Sequence, residues 1–170
     1  MNRKTTVRIL RWLAVIAWMI VIFWFSAQPS NRSLTASDPI TDAVIAFFHP
    51  GYENLSPDEQ FELHESVSFY VRKTAHFTVY AILGLLLLAA LNGSLPARYS
   101  FPAAFVIGTL YAVTDEIHQA FVPGRACQGR DVLIDSLGIL SALLIAAVIR
   151  RIRTKRKQKK EVPPDRTGSE

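Results

Sequence analysis

The sequence predicts an all-α membrane protein, a bundle of four transmembrane helices with a helical outer loop between the first and second spans. Three observations lead there: half of the 170 residues are hydrophobic, they gather in four long blocks, and basic residues crowd before the first block and after the last. A crossing helix needs about 20 apolar residues to cover roughly 30 Å of hydrocarbon at about 1.5 Å per residue. Residues 9–27, 69–91, 101–121 and 132–149 meet that requirement. Together they define one membrane domain over 1–150, followed by a basic tail over 151–170. The tail is expected to be disordered, most plainly beyond Glu161, where Pro, Gly and polar residues accumulate.

Taken in order, the first block has Arg3, Lys4, Arg8 and Arg11 before or at its start, in the manner of a secretory signal. Its apolar run outlasts the usual h-region of about 7–15 residues, so an uncleaved anchor is expected. After the last block come Arg150, Arg151, Arg153, Lys155, Arg156, Lys157, Lys159 and Lys160. Basic flanks mark the cytoplasmic side, where they also meet anionic lipid, and an even number of spans places both termini there. The net charge of +5 thus speaks for a multi-pass protein of the cytoplasmic membrane rather than for a nucleic-acid partner.

The longest connection runs from Ser26, Gln28 and Ser30 to about Ser68. It holds Asp38, Asp42, Glu53, Asp58, Glu59, Glu62 and Glu65, one arginine, Arg32, and no lysine. That composition suits the side away from the cytoplasm. Asp38-Pro39 offers a cap and a first-turn proline for a helix carrying Ile40, Val44, Phe47 and Phe48 at helical spacing. Such a helix would lie on the outer membrane surface or cover the bundle. Ser56-Pro57-Asp58-Glu59 is a second start, with Ser56 as cap and Glu59 completing a capping box. This helix is expected to continue through Phe69 into the second span. Arg72, Lys73 and His76 then lie several turns past the helix start, where its dipole no longer opposes a cation. Asn92-Gly93 and Pro96 make a short turn, Ser100 and Pro102 open the third span, Val122-Pro123-Gly124 closes it, and Gly129 precedes the fourth.

Threaded from a cytoplasmic N-terminus, these spans gather every polar cluster at one outer face. Residues three or four apart share a helix face. Arg72, His76, Tyr80 and Gly84 make one stripe; Gly108, Tyr111, Asp115, His118 and Gln119 a second; Asp131, Asp135, Gly138, Ala142 and Ala146 a third. Arg125 and Arg130 sit in the turn between the last two spans. Small residues deeper in the stripes allow close helix approach. Asp115 would lie roughly 9 Å inside the end of its helix, too deep for a carboxylate facing lipid, because ionisable groups there cost about 2.5–3.5 kcal/mol each. Glu116, turned about 100° from it, faces a different neighbour.

The pattern Arg72-Lys73-x-x-His76-Phe77-x-x-Tyr80-x-x-x-Gly84, then Asp115-Glu116-x-His118-Gln119-x-Phe121-x-Pro123-Gly124-Arg125 and Asp131-x-x-x-Asp135-x-x-Gly138, resembles the VanZ-like family. Phe25-Ser26-x-Gln28 is similar to the polar motif after that family's first span, and the resemblance covers about Phe25 to Ile149. It implies a small bacterial membrane protein, in a family named for a member associated with low-level teicoplanin resistance. It implies no catalytic mechanism or substrate.

Three functions remain open. The first is a protein that modulates the cell envelope, with Arg72, Lys73, His76, Gln119, Arg125, Arg130, Asp131 and Asp135 holding an anionic lipid headgroup or a lipid-linked cell-wall precursor. The second is a membrane enzyme in which Asp115 or Glu116 works with His118 as acid and base on a lipid-linked substrate. The third is purely structural: Arg72 paired with Asp115 or Asp135 fixes helix register. No HExxH or comparable metal motif occurs, so neither metal nor cofactor is expected. The lone cysteine, Cys127, permits no internal disulfide and reads as an incidental loop residue.

Overall fold

The computed structural model describes residues 2–28, 30–125 and 128–161. Its helices are α1 (Arg3–Ser26), α2 (Ser30–Phe48), α3 (Pro57–Leu91), α4 (Ala97–Gln119) and α5 (Gly129–Glu161), with one 3₁₀ turn at Tyr52–Asn54. The described residues contain no strand. Among them α1, α3 and α5 are long and apolar enough to cross a membrane. The 23-residue α4 has the length but not the composition. Ser100, Pro102, Thr109, Thr114, Asp115 and Glu116 dilute its hydropathy, and several of these face its neighbours rather than the surroundings.

Helix starts follow local chemistry. Asn2 accepts from the Lys4 N–H and begins α1 six residues before its apolar block. At α3 the expected capping box forms: the Ser56 hydroxyl accepts from the Glu59 N–H, and Glu59 Oε2 accepts from the Ser56 N–H at 2.8 Å. From there α3 runs unbroken for 35 residues, about 52 Å, so its early turns project beyond the hydrocarbon thickness that its apolar half can cross.

Two helix boundaries correct the sequence reading. Pro39 is inside α2, not at its first turn, where it leaves the helix one backbone N–H short. The basic stretch expected to be disordered from residue 151 instead continues α5 to Glu161. Arg, Lys and Gln favour helix, and no Gly or Pro interrupts before Pro163. Residues 162–170 lie outside the described residues, as does Cys127.

Helix α3 is the axis against which α1, α2, α4 and α5 pack. Its Tyr80, Leu83, Leu87, Ala90 and Leu91 meet Val15 and Ile22 from α1, Ala104 and Ala112 from α4, and Ile139 and Leu143 from α5. Two glycines bring α3 and α5 together. A Cβ on Gly84 would stand 3.2 Å from the Ile139 Cα, and one on Gly138 would overlap the Phe77 carbonyl oxygen. Backbone carbonyls anchor α1: Trp18 Nε1 donates to Val79 O at 2.9 Å, and Tyr111 donates to Met19 O at 2.6 Å. Leu10, Leu13, Ile16, Ile20 and Trp24 of α1, and Leu144, Ile145 and Val148 of α5, point outward. That surface suits lipid, as does the outward pair Phe47 and Phe48 on α2, while Thr41 and Ile45 of the same helix are buried.

Candidate functional site

Helix ends and turns bring the polar residues together in two adjoining groups. The first surrounds Asp115, which lies on α4 and is only 3% exposed. Ser26, in the last turn of α1, donates to Asp115 Oδ2 at 2.7 Å, and Tyr80 of α3 donates to the same oxygen at 3.1 Å. Gln119, one turn along α4, donates to Ser26 Oγ at 2.6 Å and to Asp115 Oδ2 at 3.2 Å. Three helices therefore meet on one carboxylate oxygen. Its partner, Asp115 Oδ1, is buried without a hydrogen bond.

The second group lines the seam between α3 and α5. Lys73 Nζ reaches both oxygens of Asp131, at 2.5 and 2.6 Å. One turn deeper, His76 Nδ1 stands 3.7 Å from Asp135 Oδ1, beyond hydrogen-bond range yet close enough for ionic attraction when the ring is protonated. Asp135 is as buried as Asp115. Glu116, turned away from Asp115, accepts from the Gln128 N–H at 2.5 Å and so fastens the entry to α5. The side chains of Lys73 and Arg130 both lie over the Phe69 ring, with centroid distances of 5.3 and 5.2 Å.

Arg72 and Arg125 differ from these. Among the described residues neither makes an ion pair or a hydrogen bond through its side chain. Both are partly buried. In the loop between α4 and α5, Arg125 lies within electrostatic reach of Asp115, Glu116, Asp131 and Arg72. Burial pushes its guanidinium below the ordinary arginine value, with the carboxylates opposing that shift; arginine nevertheless stays charged.

The structure thus draws Arg72, Lys73, His76, Asp115, Glu116, Gln119, Arg125, Arg130, Asp131 and Asp135 to one end of the bundle. It does not join His118 to either acid. The His118 ring stacks on Phe23 of α1, centroids 4.3 Å apart and planes 27° from parallel, with Nε2 buried and unbonded. Nor does Arg72 form the register-fixing pair with Asp115 or Asp135; Lys73–Asp131 is the close ion pair on that seam. Ser26 and Tyr80, outside the residue types that the charge pattern singles out, complete the group around Asp115. Tyr80 reads as packing because its ring is apolar, but it shares the His76 face one turn deeper, and that spacing placed its hydroxyl against α4. Among the described residues no group of three or more His, Cys, Asp or Glu side chains is placed to hold a metal ion.

A family model described as VanZ/LLP1 matches residues 11–150. No curated protein and no solved structure matches the chain. The matched stretch takes in every residue from Ser26 to Asp135 that builds these two groups, and by that match over most of its length the chain belongs to the VanZ/LLP1 family.

Proposed function

We propose that this protein modulates the bacterial cell envelope by binding an anionic lipid headgroup or lipid-linked cell-wall precursor at the polar end of its bundle. In this reading α4 crosses the membrane beside α1, α3 and α5, both termini are cytoplasmic, and the site opens to the outer leaflet. One observation carries it: Arg72 and Arg125 are partly buried, near enough to repel each other, and without a side-chain ion pair among the described residues. Two guanidiniums so placed suit a phosphate or carboxylate that takes charge-assisted bonds from both. Asp115, Glu116 and Asp131 act on Arg125 from nearby without an ion pair to it, which leaves its fork of donors available. A headgroup entering from the side of the bilayer would keep its chains in lipid. Altered access to such a precursor is also how a protein of this kind would change susceptibility to teicoplanin, whose acyl tail places it at the membrane.

The test is identification of the lipids that copurify with the protein. Wild type should retain a phosphate-bearing lipid that Arg72→Gln/Arg125→Gln loses at unchanged yield of folded protein. Lys73→Met, which breaks the Asp131 pair, should lower folded yield but leave lipid per folded molecule unchanged. Equal retention by wild type and the double variant would refute the reading.

A second reading, an enzyme acting on a lipid-linked substrate, is favoured by one feature. The buried Oδ1 of Asp115 is unbonded while three donors hold Oδ2, a geometry in which one oxygen is fixed and the other is free to take a proton. Turnover that Asp115→Asn abolishes, with lipid still bound, would establish it.

A further inference from the structure

The other end of the bundle carries a second kind of site. Helix α5 passes from apolar to strongly basic at residue 150, and there it leaves a groove of about 580 Å³ against the end of α3 and the start of α4. Leu88, Phe101, Ala146 and Ala147 form its apolar part; Arg150, Arg151 and Lys155 form its cationic part. The two alanines make the space, since larger side chains at those positions would fill it. All three cations are exposed, and none has an ion pair among the described residues. Asp135 and Arg150 are fifteen residues apart on one helix, about 22 Å, so this groove is separate from the Arg72–Arg125 site.

We infer that this groove is a binding site for an anionic phospholipid of the leaflet that the basic end faces. The phosphate sits among Arg150, Arg151 and Lys155, and an acyl chain lies along Ala146, Ala147, Leu88 and Phe101. The occupant must satisfy both halves. An acidic protein or a nucleic acid would meet the cations but leave the apolar half empty, whereas a lipid has its charge and its chains in the order the groove presents them. The groove is continuous with the part of α5 that is long and apolar enough to cross a membrane, so a lipid enters it without leaving the bilayer.

Native mass spectrometry of the full-length protein in mixed micelles tests this, with phosphatidylglycerol and phosphatidylcholine of matched chains as probes and every protein, the wild-type groove included, carrying Arg72→Gln/Arg125→Gln so that the first site contributes no bound lipid. The wild-type groove should retain phosphatidylglycerol in preference to phosphatidylcholine. A surface cation strengthens association with anionic lipid about fivefold, so Arg150→Gln/Arg151→Gln/Lys155→Gln should weaken retention on the order of a hundredfold. The charge-matched control Arg3→Gln/Lys4→Gln/Arg8→Gln, on α1 and outside the groove, removes the same number of lipid-attracting charges but leaves the groove intact, and should lose far less retention. Ala147→Phe fills the apolar half and should lower retention with every cation in place; a free phosphate would be indifferent to it. Equal loss in both triple variants, no preference at the wild-type groove, or full retention by Ala147→Phe would each overturn the inference.

Discussion

Replacing Gly138 by alanine tests the seam on which the candidate site depends. The added Cβ would overlap the Phe77 carbonyl oxygen and lie 3.1 Å from its carbon and 3.2 Å from the Phe77 Cα. Ordinary contact between such atoms is about 3.5–4.0 Å, so α5 must withdraw from α3 by about 1 Å. The obstacle is backbone, so no rotamer change relieves it. Overpacking of this kind costs roughly 1–3 kcal/mol, a severe loss where helix association rests on packing. Asp135 and Asp131 lie on the same face of α5, one and two turns earlier, so the same withdrawal widens the His76–Asp135 gap and stretches the Lys73–Asp131 pair. Gly84→Ala is the milder comparison: its closest contact, at 3.0 Å, is the Ile139 Cγ2 methyl, although the Ile139 Cα lies at 3.2 Å. Unfolding of the purified protein in mixed detergent micelles should rank wild type, Gly84→Ala and Gly138→Ala in falling stability. A Gly138→Ala protein that unfolds with wild type would refute the seam geometry and remove the packing argument for how α3 and α5 present the site.

The remaining predictions concern the caps, the buried carboxylate and the topology. Ser26→Ala removes the 2.7 Å bond to Asp115 and the 2.6 Å bond from Gln119; the same unfolding assay should show a loss of about 1–3 kcal/mol, with Tyr80→Phe losing less because its bond is longer. Hydrogen bonds from the Ser56 side chain, then from its backbone, hold the Glu59 carboxyl below the ordinary carboxylate value. That contribution to the start of α3 is present above the unfolded value and is lost as pH falls through the lower folded one. Amide exchange in the first turn of α3 should therefore be faster in Ser56→Ala than in wild type at neutral pH, and the difference should narrow in strong acid to what the Ser56 hydroxyl contributes by capping the Glu59 N–H. With Cys127 replaced by serine, Glu53→Cys should react with an impermeant maleimide in intact cells and Asn92→Cys only after lysis, and cysteines introduced at Asn2 and Gln158 should both be protected. Termini on opposite sides would show that α4 does not cross.

Much of this architecture is written in local signals. Ser56-Pro57-Asp58-Glu59 specifies a helix start through the reach of two side chains, and the structure places the start there. Every expected block became a helix because apolar length is a property of the sequence itself. What misled was propensity at the margins: Pro39 reads as a first-turn residue, and the basic stretch after Arg150 reads as solvated chain, yet neither feature forbids a helix that has already begun. At the candidate site the helical spacing sufficed to put Asp115 and Gln119 together and to turn Glu116 elsewhere. It could not choose partners across helices. Whether Asp115 meets Arg72 or Tyr80 depends on the rotation of α3 about its axis, which is fixed by packing between distant residues such as Gly138 and Phe77, sixty-one positions apart.

The adjacent residues Arg72 and Lys73 show how that rotation divides roles. About 100° separates neighbouring side chains on a helix, so the seam with α5 can receive only one of the two. It receives Lys73, whose compact ammonium is held by both oxygens of Asp131 and lies over the Phe69 ring. Arg72 is turned out of the seam, where it acts on Arg125 without a carboxylate of its own. An ammonium is a point charge suited to closing one pair, whereas a guanidinium presents a planar fork suited to a two-oxygen acceptor. The lysine is therefore placed where a structural pair is needed and the arginine where a bidentate acceptor would fit. Exchanging the two would leave the helix with the same charge and both groups facing the wrong chemistry.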